Sequence, residues 1–268
     1  MAPHKRARPR SSAAAARPAG SSARDAAALL AELKKLGDAR TRDELGPRYG
    51  ITAPTAFGVS MAKVQALARR IGQNDALARA LWDTGYYDAR LLAALVADPA
   101  ALTSPRMDDW CADFDNWAVV DTVCFKLFDR AATPLAFAKV DQWSTRDGRD
   151  EEFVKRAGLA LLACLALHDA KSPDDAFASR LPLVERGAGD ERNFVKKAAS
   201  WALKAIGRRS RPLMTAATAV ARRLSLAPPG SPARWVGKDA LKGLGDLTFI
   251  SPRAVAPRRQ MRQPAPPQ

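Results

Sequence analysis

A chain of 268 residues is long enough to bury a core that needs neither disulfides nor a structural metal. Its formal net charge of +15 is what a polyanionic partner calls for. No stretch reaches the roughly 18 apolar residues of a membrane span, and the N-terminus lacks the apolar centre of a secretory signal, so the expectation is a soluble cytoplasmic, nucleoid-associated protein with no membrane partner.

The basicity sits at the ends. Residues 1–24 carry six Lys/Arg and no acid, and residues 208–268 carry twelve against Asp239 and Asp246, whereas the middle is balanced. Pro3, Pro9 and Pro18 spoil any amphipathic helix at the start, so residues 1–24 are expected to be a disordered basic N-terminal arm. From there to residue 225 a repeat domain is expected, followed by a C-terminal helix and basic, Pro-rich tail over 226–268. Ala, Leu, Arg and Lys dominate, and apolar residues recur every three or four positions. The pattern predicts an all-α fold with helices near 24–36, 39–48, 61–71, 75–83, 86–96, 105–115, 117–131, 134–144, 150–168, 174–186, 190–208, 211–225 and 232–242. Ser60, Asp150 and Asp190 stand where N-caps are wanted. Cys111, Cys124 and Cys164 fall in apolar runs with no Cys-x-x-Cys pair and only His4 and His168 as nitrogen donors, which predicts buried free thiols and no metal site.

One segment is duplicated. Phe153-Val154-Lys155-Arg156-Ala157 returns as Phe194-Val195-Lys196-Lys197-Ala198, an offset of 41 residues that suits two-helix HEAT-type repeats. Stacked in a curved superhelix, such repeats bring the starts of helices 117–131, 150–168 and 190–208 to a common groove. Trp117 and Asp121 share one helix face there, beside Asp115 and Asn116. Taken singly, Asp121 is equally a cap or the partner of a nearby arginine, and Trp201 equally a packing residue. Together, one carboxylate, two indoles and a belt of Lys155, Arg156, Lys196, Lys197 and Lys204 have the parts to stack on a nucleotide and grip its phosphates. No phosphate loop, no HExxH and no nucleophile set beside a usable histidine accompany them.

The run Asp115 to Thr122, the two Phe-Val-Lys segments with Trp201, and the stretch from Tyr49-Gly50-Ile51 to Phe57-Gly58-Val59-Ser60-Met61 resemble the DNA alkylation repair family of HEAT-like glycosylases, over about residues 25–225. The resemblance implies a monofunctional enzyme, without cofactor, that hydrolyses the N-glycosidic bond of cationic N3- or N7-alkylated purines in duplex DNA and leaves an abasic site. It places the cleft on Trp117, Asp121, Arg156 and Trp201, with Lys204 at a phosphate contact. A cationic base departs without an acid to protonate it, so one carboxylate suffices where ordinary glycosidases need two. The family also includes members that bind damaged or branched DNA without excising, which is the alternative reading. A protein-binding solenoid is a third. A monomer is expected, and Trp235, Lys238 and Lys242, which the resemblance does not place, are expected either to add DNA affinity or to form a packed terminal cap.

Overall fold

A computed structural model describes residues 19–245, so most of the N-terminal arm and the tail beyond residue 245 lie outside it. Among the described residues the chain forms fourteen α-helices, two 3-10 turns and no strand. In chain order the helices are α1 (Ala19–Leu36), α2 (Ala39–Tyr49), α3 (Met61–Ile71), α4 (Asp75–Asp83), α5 (Tyr87–Val96), α6 (Ser104–Ala112) and α7 (Trp117–Lys126). They continue with α8 (Thr133–Trp143), α9 (Glu152–His168), α10 (Asp174–Ala178), α11 (Leu181–Ala188), α12 (Asn193–Gly207), α13 (Arg211–Ser225) and α14 (Pro232–Gly245). No helix among the described residues is long and apolar enough to cross a membrane.

Local chemistry explains most boundaries. Asp38, Asn74, Thr103, Asn116 and Ser210 accept a backbone N–H of the first turn that follows them, which starts α2, α4, α6, α7 and α13. Proline in the first turn, where its missing N–H has no helical partner to lose, opens α6, α8, α11 and α13. Three expectations shift. Pro182 divides the expected 174–186 helix into α10 and α11, and the expected 117–131 helix stops at Lys126, with Leu127 leaving helical angles before a 3-10 turn at Phe128–Arg130. The first helix starts at Ala19, so residues 19–24 belong to α1 rather than to an arm. The caps shift as well: Ser60 makes no side-chain cap bond, Glu151 rather than Asp150 precedes α9, and Asp190 binds the backbone of Arg192.

The helices stack in order, with α9 at the centre, packed by α7, α8 and α12. Residues Ala157 to Ala166 of α9 are buried all round, as a helix enclosed by others must be. Small residues set the spacing. A Cβ at Gly158 would lie 2.5 Å from the Ser144 backbone nitrogen, and one at Gly237 would lie 2.3 Å from that of Ser225, so only glycine lets α9 and α14 approach their neighbours so closely. Cys111, Cys124 and Cys164 are free and buried, and burial pushes each thiol well above its ordinary pKa, so none is a ready nucleophile.

Polar rungs join one repeat to the next. Asp75 accepts from Arg106 at 2.6 Å, Asp108 from Lys139 at 2.5 Å and from the Trp143 indole at 2.9 Å, Asp141 from Arg180 at 2.7 Å, and Glu185 from Arg223 at 2.6 Å. Each acid is answered by a base 31 to 39 residues further on, about one repeat. The array is an α–α solenoid of HEAT-like repeats in which apolar faces stack and acid–base pairs hold the register.

Candidate functional site

The site is built at the first turns of α7, α9 and α12. Buried Asn116 accepts the Val119 N–H at 3.0 Å and so opens α7 with Trp117, placing Asp121 one turn later on the same face. The Trp117 indole N–H donates to the Tyr49 carbonyl at 2.9 Å, which ties α7 to the end of α2. There Gly50 adopts φ 63°, a left-handed angle suited to glycine, and the Phe194 ring of α12 lies against it, 3.8 Å from where a side chain would begin. Residues far apart in sequence therefore meet across the curve of the stack.

Arg156 joins the pieces. Its Nε and Nη2 donate to Asp121 Oδ1 and Oδ2 at 3.0 and 2.7 Å, a bidentate pair, while Nη1 donates to the Phe194 carbonyl at 2.7 Å. Glu152 accepts the Phe194 N–H at 3.1 Å, and the Phe153 and Phe194 rings pack with centroids 5.6 Å apart. The duplicated segment thus makes a direct joint: its two phenylalanines touch, and its first copy grips the backbone of its second.

Burial pushes the Asp121 carboxyl above the ordinary aspartate value, and the Arg156 guanidinium opposes that rise. The carboxyl lies deep among its neighbours, yet 25 % of the side-chain surface still meets solvent, so a ligand on this surface can reach it. A permanently charged guanidinium held at two points favours the ionised form. The arrangement offers a partly desolvated carboxylate beside an indole, able to stabilise a cation formed against it.

The expected residues divide. Trp117, Asp121 and Arg156 come together. Trp201 is half-buried on α12 and packs on the core, outside the hydrogen bonds just described. Lys155, expected at the DNA phosphates, is 3 % exposed, and its ammonium binds Asp147 at 2.7 Å and Asp190 at 2.9 Å. It is a structural cation, because the α9 turn that points Arg156 at the cleft turns its neighbour toward the α11–α12 loop. Burial alone would raise the Asp190 pKa, but hydrogen bonds from Arg192 and Lys155 hold it well below the usual carboxylate range. Arg156, also expected at a phosphate, is 6 % exposed and committed to Asp121 and Phe194. Lys204 pairs with Asp239 at 2.7 Å, and Lys196 lies over the Trp235 ring, 5.8 Å from its centroid. Lys197 is exposed, directed outward from α12. Sequence reasoning assigned no role to Tyr49, Gly50, Glu152 or the two phenylalanines. The duplicated Phe-Val-Lys segment and the Tyr-Gly pair were the available signals.

Comparison with known proteins places the chain. No curated protein matches it in sequence. A solved structure described as "a new family of proteins related to the HEAT-like repeat DNA glycosylases with affinity for branched DNA structures" superposes with a TM-score of 0.64 at 21 % identity, covering 81 % of this chain and 94 % of that one. The sequence profile of the family named DNA alkylation repair enzyme matches residues 29–244, from α1 through α14, so the last helix lies inside the matched span. The chain belongs to the DNA alkylation repair enzyme family.

Proposed function

We propose that this protein is a DNA glycosylase that releases cationic N3- or N7-alkylated purines from duplex DNA. The observation that carries the reading is the Asp121 carboxyl, held at two points by Arg156 and lying on one helix face with Trp117 where three helix openings converge. Alkylation at N3 or N7 leaves the purine positively charged, so the bond from C1′ breaks with its electron pair going to the base, and the base departs neutral. Positive charge passes to the deoxyribose. Asp121 stabilises it and orients the water that adds to C1′, while the indole face of Trp117 favours the cation beside it. Selectivity then follows from the lability of the cationic base, and no lysine is required as a covalent nucleophile. Duplex DNA is gripped by exposed cations such as Lys197, with Arg156 acting first on the carboxylate.

The test incubates the protein with methylated duplex DNA and measures free 3-methyladenine and 7-methylguanine for wild type and Asp121→Asn. A carboxylate about 4 Å from a unit positive charge in a partly buried site contributes about 4 kcal/mol, and half of that if Arg156 stays paired, so the variant is expected to lose about 30- to 1000-fold in rate. Equal release by wild type and variant sinks the catalytic role of Asp121. The commitment of Asp121 to Arg156 favours one second reading, a DNA-binding protein without excision. That reading predicts no base release by wild type and structure-selective DNA binding that Asp121→Asn leaves unchanged.

A further inference from the structure

A second cleft, of about 390 Å3, lies between the start of α14 and the first turns of α12. Pro229, Gly230, Trp235, Lys196, Arg234 and Lys238 line it, and no acid does. Its walls are firm. The turn before α14 closes through the Ser231 N–H to the Pro228 carbonyl at 3.1 Å, Gly230 takes φ 83°, and Arg234 donates to the Ala227 carbonyl at 3.3 Å. Gly237 then presses α14 against α13. Trp235 is held by this frame with 41 % of its surface exposed, an unusual state for an indole with a core nearby. Lys196 sits over one part of the ring and Lys238 is exposed one turn further along α14.

We infer that this cleft binds one unpaired nucleotide of single-stranded DNA, the base stacking on the open part of the Trp235 ring and the flanking phosphates meeting Lys196 and Lys238. The chemistry selects the ligand class. An aromatic face framed by cations repels basic peptides and suits a π-surface carrying negative charge, which a nucleotide supplies in one unit. The volume falls within the range of clefts that hold small ligands. A base within an intact duplex cannot offer its face, so the site distinguishes unpaired strands from paired ones. It is separate from the Asp121 cleft and does not depend on excision.

Fluorescence anisotropy with the full chain tests this, using a short labelled oligothymidylate, an undamaged duplex and unlabelled thymidine monophosphate as competitor. Trp235→Ala is expected to weaken single-strand binding about tenfold, the effect of losing one stacked base, with duplex binding and base excision near wild type. Trp235→Phe, which keeps a stacking face, is expected to retain most of the affinity. Lys238→Ala is expected to flatten the logarithmic salt slope for the single strand by about 0.7. Thermal melting confirms that each variant folds. Wild-type single-strand affinity in Trp235→Ala overturns the inference whatever the excision assay shows, and so does an equal loss in the Ala and Phe variants. Displacement by the mononucleotide as effective as by the oligomer makes the occupant a free nucleotide and overturns the single-strand assignment.

Discussion

Replacing Arg156 by Met tests how the candidate carboxylate is maintained. The substitution keeps most of the buried volume but leaves Asp121 without the cation that opposes its burial. Removing one partner of a fully buried pair costs about 3–5 kcal/mol. Because 25 % of the Asp121 side chain is exposed, water recovers part of this, and about 2 kcal/mol is expected from the pair. The Phe194 carbonyl also loses its donor, adding about 1 kcal/mol. For a domain of this size the sum lowers Tm by about 6–12 °C. The two parts differ in pH dependence. A carboxyl whose folded pKa lies above its unfolded value contributes stability below the unfolded value and loses it as pH rises through the folded one. Arg156→Met raises the folded value further, so its Tm deficit should grow from pH 5 to pH 8. The Asp121→Asn/Arg156→Met double variant, with no carboxyl to titrate there, should start about 1 kcal/mol below wild type from the carbonyl alone. That deficit should shrink as pH rises, because only wild type loses stability through its raised carboxyl. Melting curves of the three proteins across that range decide it. A single-variant deficit that does not change with pH refutes the idea that burial and Arg156 compete over Asp121.

Further predictions concern groups the sequence could not separate. Lys155→Met, which leaves Asp147 and Asp190 short of a cation, is expected to cost about 2–3 kcal/mol in denaturant melts and to leave the salt slope of DNA binding unchanged, whereas Lys197→Ala should leave stability intact and flatten that slope by about 0.9. Asp190→Asn should be less stable than wild type at pH 7. Asp190 is held far below the usual carboxylate range, so its contribution is present above the unfolded value, about 3.9, and fades as pH falls, and the two melting curves should converge in acid. Gly158→Ala, although alanine favours helix, should lose about 2 kcal/mol because the new methyl meets the Ser144 backbone at 2.5 Å; an unchanged Tm would mean that α8 and α9 are free to separate.

The helices were legible because their signals are local. Apolar periodicity acts within a few residues, and α3, α4 and α13 have the expected bounds. The caps did not follow so directly, because Ser60, Asp150 and Asp190 were expected where the structure instead uses side chains such as Asn74, Asn116 and Ser210. Pro182 was misjudged because a proline inside an apolar pattern both ends one helix and starts another. The fates of the lysines were not legible. Lys155 and Lys197 stand in the two near-identical Phe-Val-Lys segments, and which one is buried depends on Asp147 and Asp190, acids in two separate loops. Trp235 was equally opaque: the sequence leaves it between a DNA contact and a packed cap, and only the structure shows it exposed beside Pro229 and Gly230.

By spacing alone, the Asp121–Arg156 pair is one more rung of the ladder, 35 residues across, like Asp75–Arg106 at 31 and Asp141–Arg180 at 39. Energetics separate them. At Asp75, hydrogen bonds and charge from Arg106 overcome the effect of burial and leave the acid below its ordinary pKa, so ionising it favours the fold. At Asp121, burial outweighs Arg156 and the shift is upward, so the ionised carboxylate works against the fold. Register between repeats is already held by the other rungs, and a hydrophobic pair in the same place would serve stability as well or better. A charged group kept at a net loss, on one helix face with Trp117 at a convergence of helix openings, supports the proposed chemical role. The Asp121→Asn/Arg156→Met variant puts that reasoning at risk: it should lie within about 1 kcal/mol of wild type in stability while base release is lost. A variant that unfolds, or one that still releases methylated bases at the wild-type rate, returns the pair to the ladder.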